Sequence, residues 1–211
     1  MFGYDSGVIN GTTKGLATAF GLQEGNLGLT ASSLLPGCAF GAFLAGRLAD
    51  VMGRKRVMLA AAGLFILSAL ASGFATTAIF FATARFFAGA AVGAASVLSP
   101  AYIAEVTPAE IRGRLTSVQQ IMIIAGLFGA AFSNKTLLGW AGYDSLADFH
   151  GYPAWRWMFW AQTIPAMLFL ITLLLIPESP RFLVAKGRDS DAEGVLSRLF
   201  GVGTARTKVA R

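Results

Sequence analysis

Two ionisable residues, Asp5 and Arg85, lie in apolar surroundings where a charge is costly. Arg85 is the only charged residue between positions 57 and 104. A carboxylate away from water holds a proton more readily, whereas a nearby arginine favours the ionised form. Movement between the two would therefore take up or release a proton, which is what proton coupling requires. A static pair that locks two helices, or an Arg85 that reaches the membrane interface, explains the same residues.

Two glutamines, Gln119 and Gln120, lie in another apolar segment. Amide groups both donate and accept hydrogen bonds, which suits an uncharged, hydroxyl-rich ligand better than an ion. On a helix Gln120 shares one face with Ile123, Ile124 and Leu127, and this face could line a cavity. A hydrogen bond between two helices accounts for either glutamine equally well.

The remaining reactive side chains form no catalytic or metal-binding pattern. His150 is the only histidine and Cys38 the only cysteine, so neither has companions for a metal site or an internal disulfide. No nucleophile and base accompany the glutamines. We therefore expect a protein that is not an enzyme and holds no cofactor or metal.

The composition indicates the solvent of these segments. Of the 211 residues, 55% are hydrophobic and 13% charged, with a mean hydropathy of +0.62. This is too apolar for an ordinary soluble domain and the opposite of a disordered chain. The net charge of +6 comes from basic residues that separate apolar runs, so nucleic acid is not an expected partner. An integral membrane protein is predicted.

Charge-free stretches define the predicted transmembrane helices of this all-α chain. They cover 25–46, 57–84, 86–104, 115–134 and 157–177. As one helix, 57–104 would be about 72 Å long, so we predict two spans with a break at 73–77. Residues 1–22 form a weaker first span, which makes six in all, and in it a glycine recurs every fourth residue from Gly3 to Gly15. This spacing predicts close helix contact; a flexible glycine-rich segment is the alternative.

Basic residues predict the orientation of the spans. Thirteen lie on one side, in the loops at 47–56 and 105–114 and after span six, against three on the other side. The positive-inside rule makes the richer side cytoplasmic, together with the C-terminus. We predict a six-helix bundle over 1–177 and a cytoplasmic segment over 178–211. This segment would contain a short amphipathic helix that Asp189 or Ser190 caps and Gly201 stops.

Five motifs in chain order resemble those of the sugar porter family of the major facilitator superfamily, especially bacterial proton-coupled xylose and glucose porters. They begin at Phe2-Gly3-Tyr4-Asp5, Gly46-Arg47-Leu48-Ala49-Asp50, Pro100-Ala101-Tyr102-Ile103-Ala104-Glu105, Arg112-Gly113-Arg114 and Pro177-Glu178-Ser179-Pro180-Arg181. The resemblance implies the N-terminal half of a twelve-helix transporter, built from two inverted three-helix repeats. It also implies that the first helix is truncated and that a C-terminal six-helix half is missing.

The resemblance assigns roles to single residues. Asp5 matches the proton-coupling aspartate and Arg85 its partner. Gln120 matches a sugar-binding glutamine, with Gln119 beside it, and Phe2 and Ile123 match cavity-wall positions. Leu127 departs from the pattern, because xylose porters carry a second sugar-binding glutamine there.

The remaining motif residues match an inner gate of ion pairs between span ends, which favours the outward-facing state. They are Gly46, Asp50, Gly53, Arg54, Glu105, Arg112, Arg114, Glu178 and Arg181. Such exposed pairs are individually worth about 0–1 kcal/mol. Orientation through positive charge alone is the alternative reading.

The function that the resemblance implies is secondary active transport of a hexose or pentose by proton symport through alternating access in the cell membrane. Two alternatives remain open. One is a proton-independent facilitator of sugars or polyols, and the other is a half-chain scaffold that transports nothing.

Overall fold

A computed structural model describes residues 1–200, apart from the side chains at 24, 109, 110, 199 and 200. The regular secondary structure of this part of the chain is helical except for one short β-hairpin. The elements are α1 (Phe2–Phe20), α2 (Glu24–Ser32), α3 (Leu34–Met52), α4 (Arg54–Phe74), α5 (Ala78–Val106), α6 (Ala109–Trp140), β1 (Asp148–Phe149), β2 (Tyr152–Pro153), α7 (Ala154–Ala161), α8 (Thr163–Leu175), α9 (Pro180–Ala185) and α10 (Asp189–Phe200).

Five helical segments of the described chain are long and apolar enough to cross a membrane. Three of them lie within α4, α5 and α6. The other two are composite, because α2 and α3 form one segment over Gly25–Met52, and α7 and α8 form another over Ala154–Leu175. The first predicted span corresponds to α1, which is a helix of 19 residues and is not among the five.

The predicted break between spans three and four is confirmed. Helix α4 ends at Phe74 and α5 begins at Ala78. The hydroxyl of Thr77 accepts a hydrogen bond from the backbone N–H of Phe80 at 3.3 Å. Thr77 therefore satisfies one of the free N–H groups at the start of α5.

The helix contacts have the symmetry of two three-helix repeats. Helix α1 packs on α6, α3 on α5, and α4 on α8, while α4 also contacts α5 and α1 contacts α7. If each of the first three spans is exchanged for the corresponding one of the last three, the contact of α1 with α6 becomes that of α5 with α3. The contact of α4 with α5 becomes that of α8 or α7 with α1, and the contact of α4 with α8 becomes itself. The set of contacts is unchanged by the exchange, as an inverted repeat requires.

Glycines form the closest helix contacts. A Cβ at Gly3 would overlap the carbonyl oxygen of Ile123 on α6, and Cβ atoms at Gly7 and Gly11 would also collide with α6. Gly15 faces Trp155 of α7 in the same way. The prediction of close contact along this face of α1 is confirmed, and the alternative of a flexible segment is wrong.

The loop between α6 and α7 contains an antiparallel hairpin in which Phe149 pairs with Tyr152. The indole Nε1 of Trp157 donates to the carbonyl oxygen of Phe149 at 2.8 Å, which fastens the hairpin to α7. His150 lies at the turn, is exposed, and has its ring 4.6 Å from that of Phe149. It is a loop residue, as expected.

Two short helices, α9 and α10, follow span six. Asp189 is the first residue of α10, so neither it nor Ser190 precedes the helix as a cap, contrary to the prediction. Arg188 precedes the helix instead, and its guanidinium pairs with Asp191 at 2.7 Å. The predicted stop at Gly201 and the basic residues Arg206, Lys208 and Arg211 lie outside the described residues.

Candidate functional site

The structure joins Asp5 of α1 to Arg85 of α5. Two guanidinium nitrogens donate to the two carboxylate oxygens, Nη1 to Oδ1 at 2.5 Å and Nη2 to Oδ2 at 2.9 Å. Asp5 is 0% exposed and Arg85 3% exposed. Such parallel charge-assisted bonds fix both the orientation and the distance of the partners. The alternative that Arg85 reaches the membrane interface is therefore wrong.

The surroundings of the pair are apolar and close-packed. The Arg85 Cζ atom lies 5.8 Å from the centre of the Phe159 ring of α7. Gly89 and Gly93, which follow Arg85 on α5, contact the backbone of α3 at Leu34 and Cys38. The helix that packs closely on these glycines is therefore α3, whereas Arg85 contacts Asp5 of α1. The reason is geometric: positions four apart on a helix rotate by about 40°. The side of α5 therefore turns away from α1 between Arg85 and Gly93.

The predicted sugar-binding residues lie where α1 meets α6. Ile123 is half-buried, because its backbone is against Gly3. Phe2, next to Gly3, is 42% exposed and Gln120 is also exposed. Gln119 is half-buried, and its Oε1 is enclosed without a hydrogen-bond partner in the described chain. The contact between Gly3 and the Ile123 backbone therefore brings the start of α1, which carries Asp5, beside the part of α6 that carries the two glutamines.

A groove of about 560 Å³ continues along α1 and α6. Its lining comprises Gly7, Asn10, Gly11, Leu127, Phe128, Ala131, Asn134, Lys135, Leu138 and Tyr143. Of the predicted cavity-wall face only Leu127 is among them.

The same groove contains a residue that sequence reasoning missed. The side chain of Asn134 is buried, and its Nδ2 donates to the carbonyl oxygen of Gly7 at 3.1 Å. The signal was present, because Asn134 is a polar residue within a span and lies two turns beyond Leu127 on a similar face.

Near the ends of four helices, the predicted gate residues Arg54 and Glu105 form an ion pair. Arg54 Nε lies 3.3 Å from Glu105 Oε2, and Arg54 Nη2 lies 3.0 Å from Asp50 Oδ1. The side chains of Arg54 and Glu105 are 17% and 10% exposed, whereas Asp50 is 71% exposed. The Arg54–Glu105 pair is thus more buried than expected, and losing one partner would leave a poorly solvated charge.

Glu178 belongs to the same cluster but acts differently from the prediction. Its Oε1 accepts from the backbone N–H groups of Lys55 and Ser179, both at 3.0 Å, and it forms no ion pair among the described side chains. It caps the start of α4 from a distant part of the chain. Gly53 makes room for it, because a Cβ there would crowd the carboxylate and the φ of 100° disfavours other residues.

Two more contacts at this cluster were not foreseen. The hydroxyl of Ser179 donates to Glu105, and that of Tyr102 donates to the carbonyl oxygen of Pro177 at 2.8 Å. A serine directly before Pro180 is a recognisable helix start, so this role of Ser179 was accessible from sequence. We call Arg54, Glu105, Glu178 and Ser179 the gate cluster.

Other predicted gate residues lie apart from the gate cluster. Arg112, Arg114 and Arg181 are exposed and form no ion pair with the described side chains. Gly46 is exposed, and a Cβ there would meet no atom within 4 Å. The main contacts of α6 are with α1, α5 and α7.

Comparison with known proteins places this arrangement in a family. The family model described as "Sugar (and other) transporter" matches residues 1–211. The chain belongs to the sugar transporter family. Among its relatives the glucose transport protein of Synechocystis sp. is 46% identical over 95% of this chain and 43% of its own length. The D-xylose-proton symporter of Escherichia coli is 37% identical over 95% of this chain and 45% of its own length.

A solved structure shows the same fold. It is the E. coli proton:xylose symporter XylE bound to 6-bromo-6-deoxy-D-glucose, 35% identical to this chain with a TM-score of 0.90. The match covers 99% of this chain and 49% of that protein. This member of the sugar transporter family therefore has the major facilitator fold and is a multi-pass membrane chain. It spans less than half the length of the curated relatives named above.

Proposed function

We propose that the chain supplies one half of a proton-coupled monosaccharide symporter that works by alternating access. The buried Asp5–Arg85 ion pair carries the proposal, because Asp5 belongs to the first three-helix repeat and Arg85 to the second. The names of two relatives, a glucose transport protein and a D-xylose-proton symporter, agree with it.

The pair is a means of coupling. An ionised Asp5 neutralises Arg85 and holds α1 to α5. A proton on Asp5 weakens that attachment, so that α1 and α5 can move apart and Arg85 must find another partner. Entry of one positive charge is worth about 2.3 kcal/mol per 100 mV, which can drive accumulation of an uncharged sugar.

The test is sugar-driven proton movement. Vesicles that contain the protein expressed from its complete reading frame are de-energised, and xylose or glucose is added outside. Symport makes the external medium more alkaline as sugar enters. Uptake without a pH change would instead indicate a facilitator. Binding to another subunit without any uptake would indicate a scaffold.

We also propose that Phe2, Gln119, Gln120 and Ile123 form the sugar-binding wall contributed by this chain. Their placement at the α1–α6 contact supports it, because Gly3 brings α1 against Ile123. The amides of Gln119 and Gln120 would bind sugar hydroxyls, and Phe2 would cover an apolar face of the ring.

Replacing Leu127 with glutamine should strengthen sugar binding. Leu127 is 43% exposed, lines the groove and lies on the same face of α6 as Gln120. An amide added at this position can therefore reach a sugar hydroxyl. We expect the sugar concentration for half-maximal uptake to fall about tenfold, the value of one hydrogen bond. The matched control is Met122→Gln, another exposed position of α6 that does not line the groove. An equal change in both variants would contradict the assignment.

For the gate cluster we propose a cytoplasmic position and a role in closing the inner side. Arg54 pairs with Glu105 of α5 and with Asp50 of α3, and Glu178 and Ser179, directly before α9, bond to Lys55 of α4 and to Glu105. The basic residues around the cluster favour the cytoplasm. The orientation is tested with Arg112→Cys, which should react with an impermeant thiol reagent only from the cytoplasmic side.

The variant Arg54→Lys distinguishes a role of Arg54 in the gate from a role in setting the orientation of the chain in the membrane. Lysine keeps the positive charge but cannot span Asp50 and Glu105 with one planar group. A gate predicts that efflux of sugar rises relative to influx in vesicles of known orientation, with Arg112→Lys unchanged. If Arg54→Lys leaves the ratio at the wild-type value, the charge serves orientation alone.

A further inference from the structure

The groove between α1 and α6 extends beyond the proposed sugar-binding wall. Its volume of about 560 Å³ is within the range of small-molecule sites. Leu127 is the one residue that it shares with the helix face of Gln120. The polar residues of its lining are Asn10, Asn134, Lys135 and Tyr143. None of these four has a role in the proposed function.

An unused hydrogen-bond acceptor belongs to the buried part of this lining. Asn134 is 6% exposed, and its Nδ2 donates to the carbonyl oxygen of Gly7 at 3.1 Å. Its Oδ1 has no hydrogen-bond partner in the described chain. Gly11 leaves the space for this side chain, because a Cβ there would collide with Nδ2. A buried acceptor without a partner is costly, so a donor from a molecule in the groove would complete it.

The other polar side chains of the lining determine which molecule fits. Asn10, Lys135 and Tyr143 are exposed, and Lys135 forms no ion pair with a described carboxylate. Amide and phenol groups both donate and accept hydrogen bonds, as the hydroxyl groups of a sugar do. An anion would bring acceptors alone and would leave the Oδ1 atom of Asn134 unpaired. The lining therefore suits a neutral molecule with several hydroxyl groups.

The contacts between α1 and α6 place this lining on one side of the proposed sugar-binding wall. Gly3 contacts Ile123 and Gly11 contacts Asn134, so the two helices run in the same direction. Asn134 lies about 17 Å beyond Ile123 along α6. Helix α6 follows the gate-cluster end of α5 and ends at Trp140, before the hairpin. The polar part of the groove is therefore on the hairpin side of Gln120, which is the outer side in the proposed orientation.

We propose that the groove between α1 and α6 is an outer binding site, where a neutral monosaccharide stops before it reaches Gln120. One sugar hydroxyl donates to Asn134 Oδ1, and Asn10 and Lys135 bind neighbouring hydroxyls. Leu127 lies against the carbon atoms of the sugar between the two sites. The inference rests on the proposed function, because it requires that a sugar enters from the hairpin side.

Filling the groove should weaken sugar entry from one side only. Ala131 is exposed and lines the groove, so Ala131→Trp places an indole in it. We expect the sugar concentration for half-maximal influx to rise at least tenfold, while the concentration for half-maximal efflux stays the same. The matched control is Phe132→Trp, because Phe132 is 73% exposed and does not line the groove. Xylose and glucose are the probes, in vesicles of known orientation that contain the protein from its complete reading frame.

A binding measurement detects the outer site directly. Gln120→Leu removes an amide of the inner wall, so that saturable binding of labelled xylose or glucose to the purified variant reports the groove. Asn10→Leu, added to it, should weaken this remaining binding about tenfold, the value of one hydrogen bond. Asn26→Leu is the matched control, because Asn26 is an exposed asparagine of α2 outside the groove.

The possible results separate the outer site from the proposed function. Influx that weakens alone in Ala131→Trp, together with remaining binding that depends on Asn10, supports the outer site. Equal changes of influx and efflux, no change of either, or remaining binding that is absent or independent of Asn10 overturn it. These results leave the proposed function in place as long as the wild type takes up sugar with protons. A wild type that neither binds nor transports xylose or glucose overturns both.

Discussion

Asp5→Asn should abolish accumulation of sugar against a gradient and leave exchange of labelled for unlabelled sugar in place. Asparagine has nearly the shape of aspartate and can still accept from Arg85, but it cannot carry a proton through the cycle. The membrane potential alone could support an accumulation of about 50-fold at 100 mV for one charge per sugar. In the variant the inside-to-outside ratio should fall to about one.

The assay measures accumulation and exchange in the same vesicles, so that loss of protein is not mistaken for loss of coupling. Asp191→Asn is the matched control, because it removes an exposed carboxylate that pairs with Arg188 on α10. The variant also leaves Arg85 with a neutral partner, and we expect lower stability, since breaking a buried pair costs about 3–5 kcal/mol. Accumulation that survives in Asp5→Asn would disprove the coupling role.

Gly41→Ala should destabilise the bundle, whereas Gly63→Ala should stabilise it slightly. A Cβ at Gly41 would collide with the backbone of Ala90, where α3 crosses α5. Backbone cannot move aside as a side chain can, so we expect a loss of at least about 1–3 kcal/mol in the free energy of unfolding.

Gly63 is the matched control, because it also lies within a spanning helix but has open space around its Cβ position. Alanine there should gain about 0.5–1 kcal/mol from the lower entropy of the unfolded chain. Denaturant unfolding in detergent measures both variants. Equal effects at the two positions would mean that helix propensity, and not the contact between α3 and α5, determines the outcome.

The contrast between the two glycines shows where sequence reasoning ends. The spacing of Gly3, Gly7, Gly11 and Gly15 was sufficient to predict a contact face, because residues that recur every fourth position lie on one side of a helix. It did not show that the face meets α6 at three positions and α7 at the fourth. Which helix fills a groove depends on the arrangement of all six spans.

The candidate site divides in the same way. Asp5 and Arg85 could be paired from sequence alone, because a charge inside the membrane requires a partner and the choice was a single carboxylate. The partners within the gate cluster could not be predicted from sequence, because charged residues near water can form several alternative pairs at little cost. Glu178 was expected to bind a cation and instead accepts from the backbone of Lys55, 123 residues away.

The sequence by itself determined the membrane-spanning helices, the break before α5, the close-packed face of α1 and the Asp5–Arg85 pair. The spans, the break and the pair follow from the cost of unpaired backbone or charge in an apolar medium, which any fold must meet. The contact face of α1 follows from the period of the helix. Only the tertiary structure decided that Glu178 caps α4 and that Asn134 bonds to Gly7. These depend on contacts between distant segments, whose geometry arises only when the helices pack.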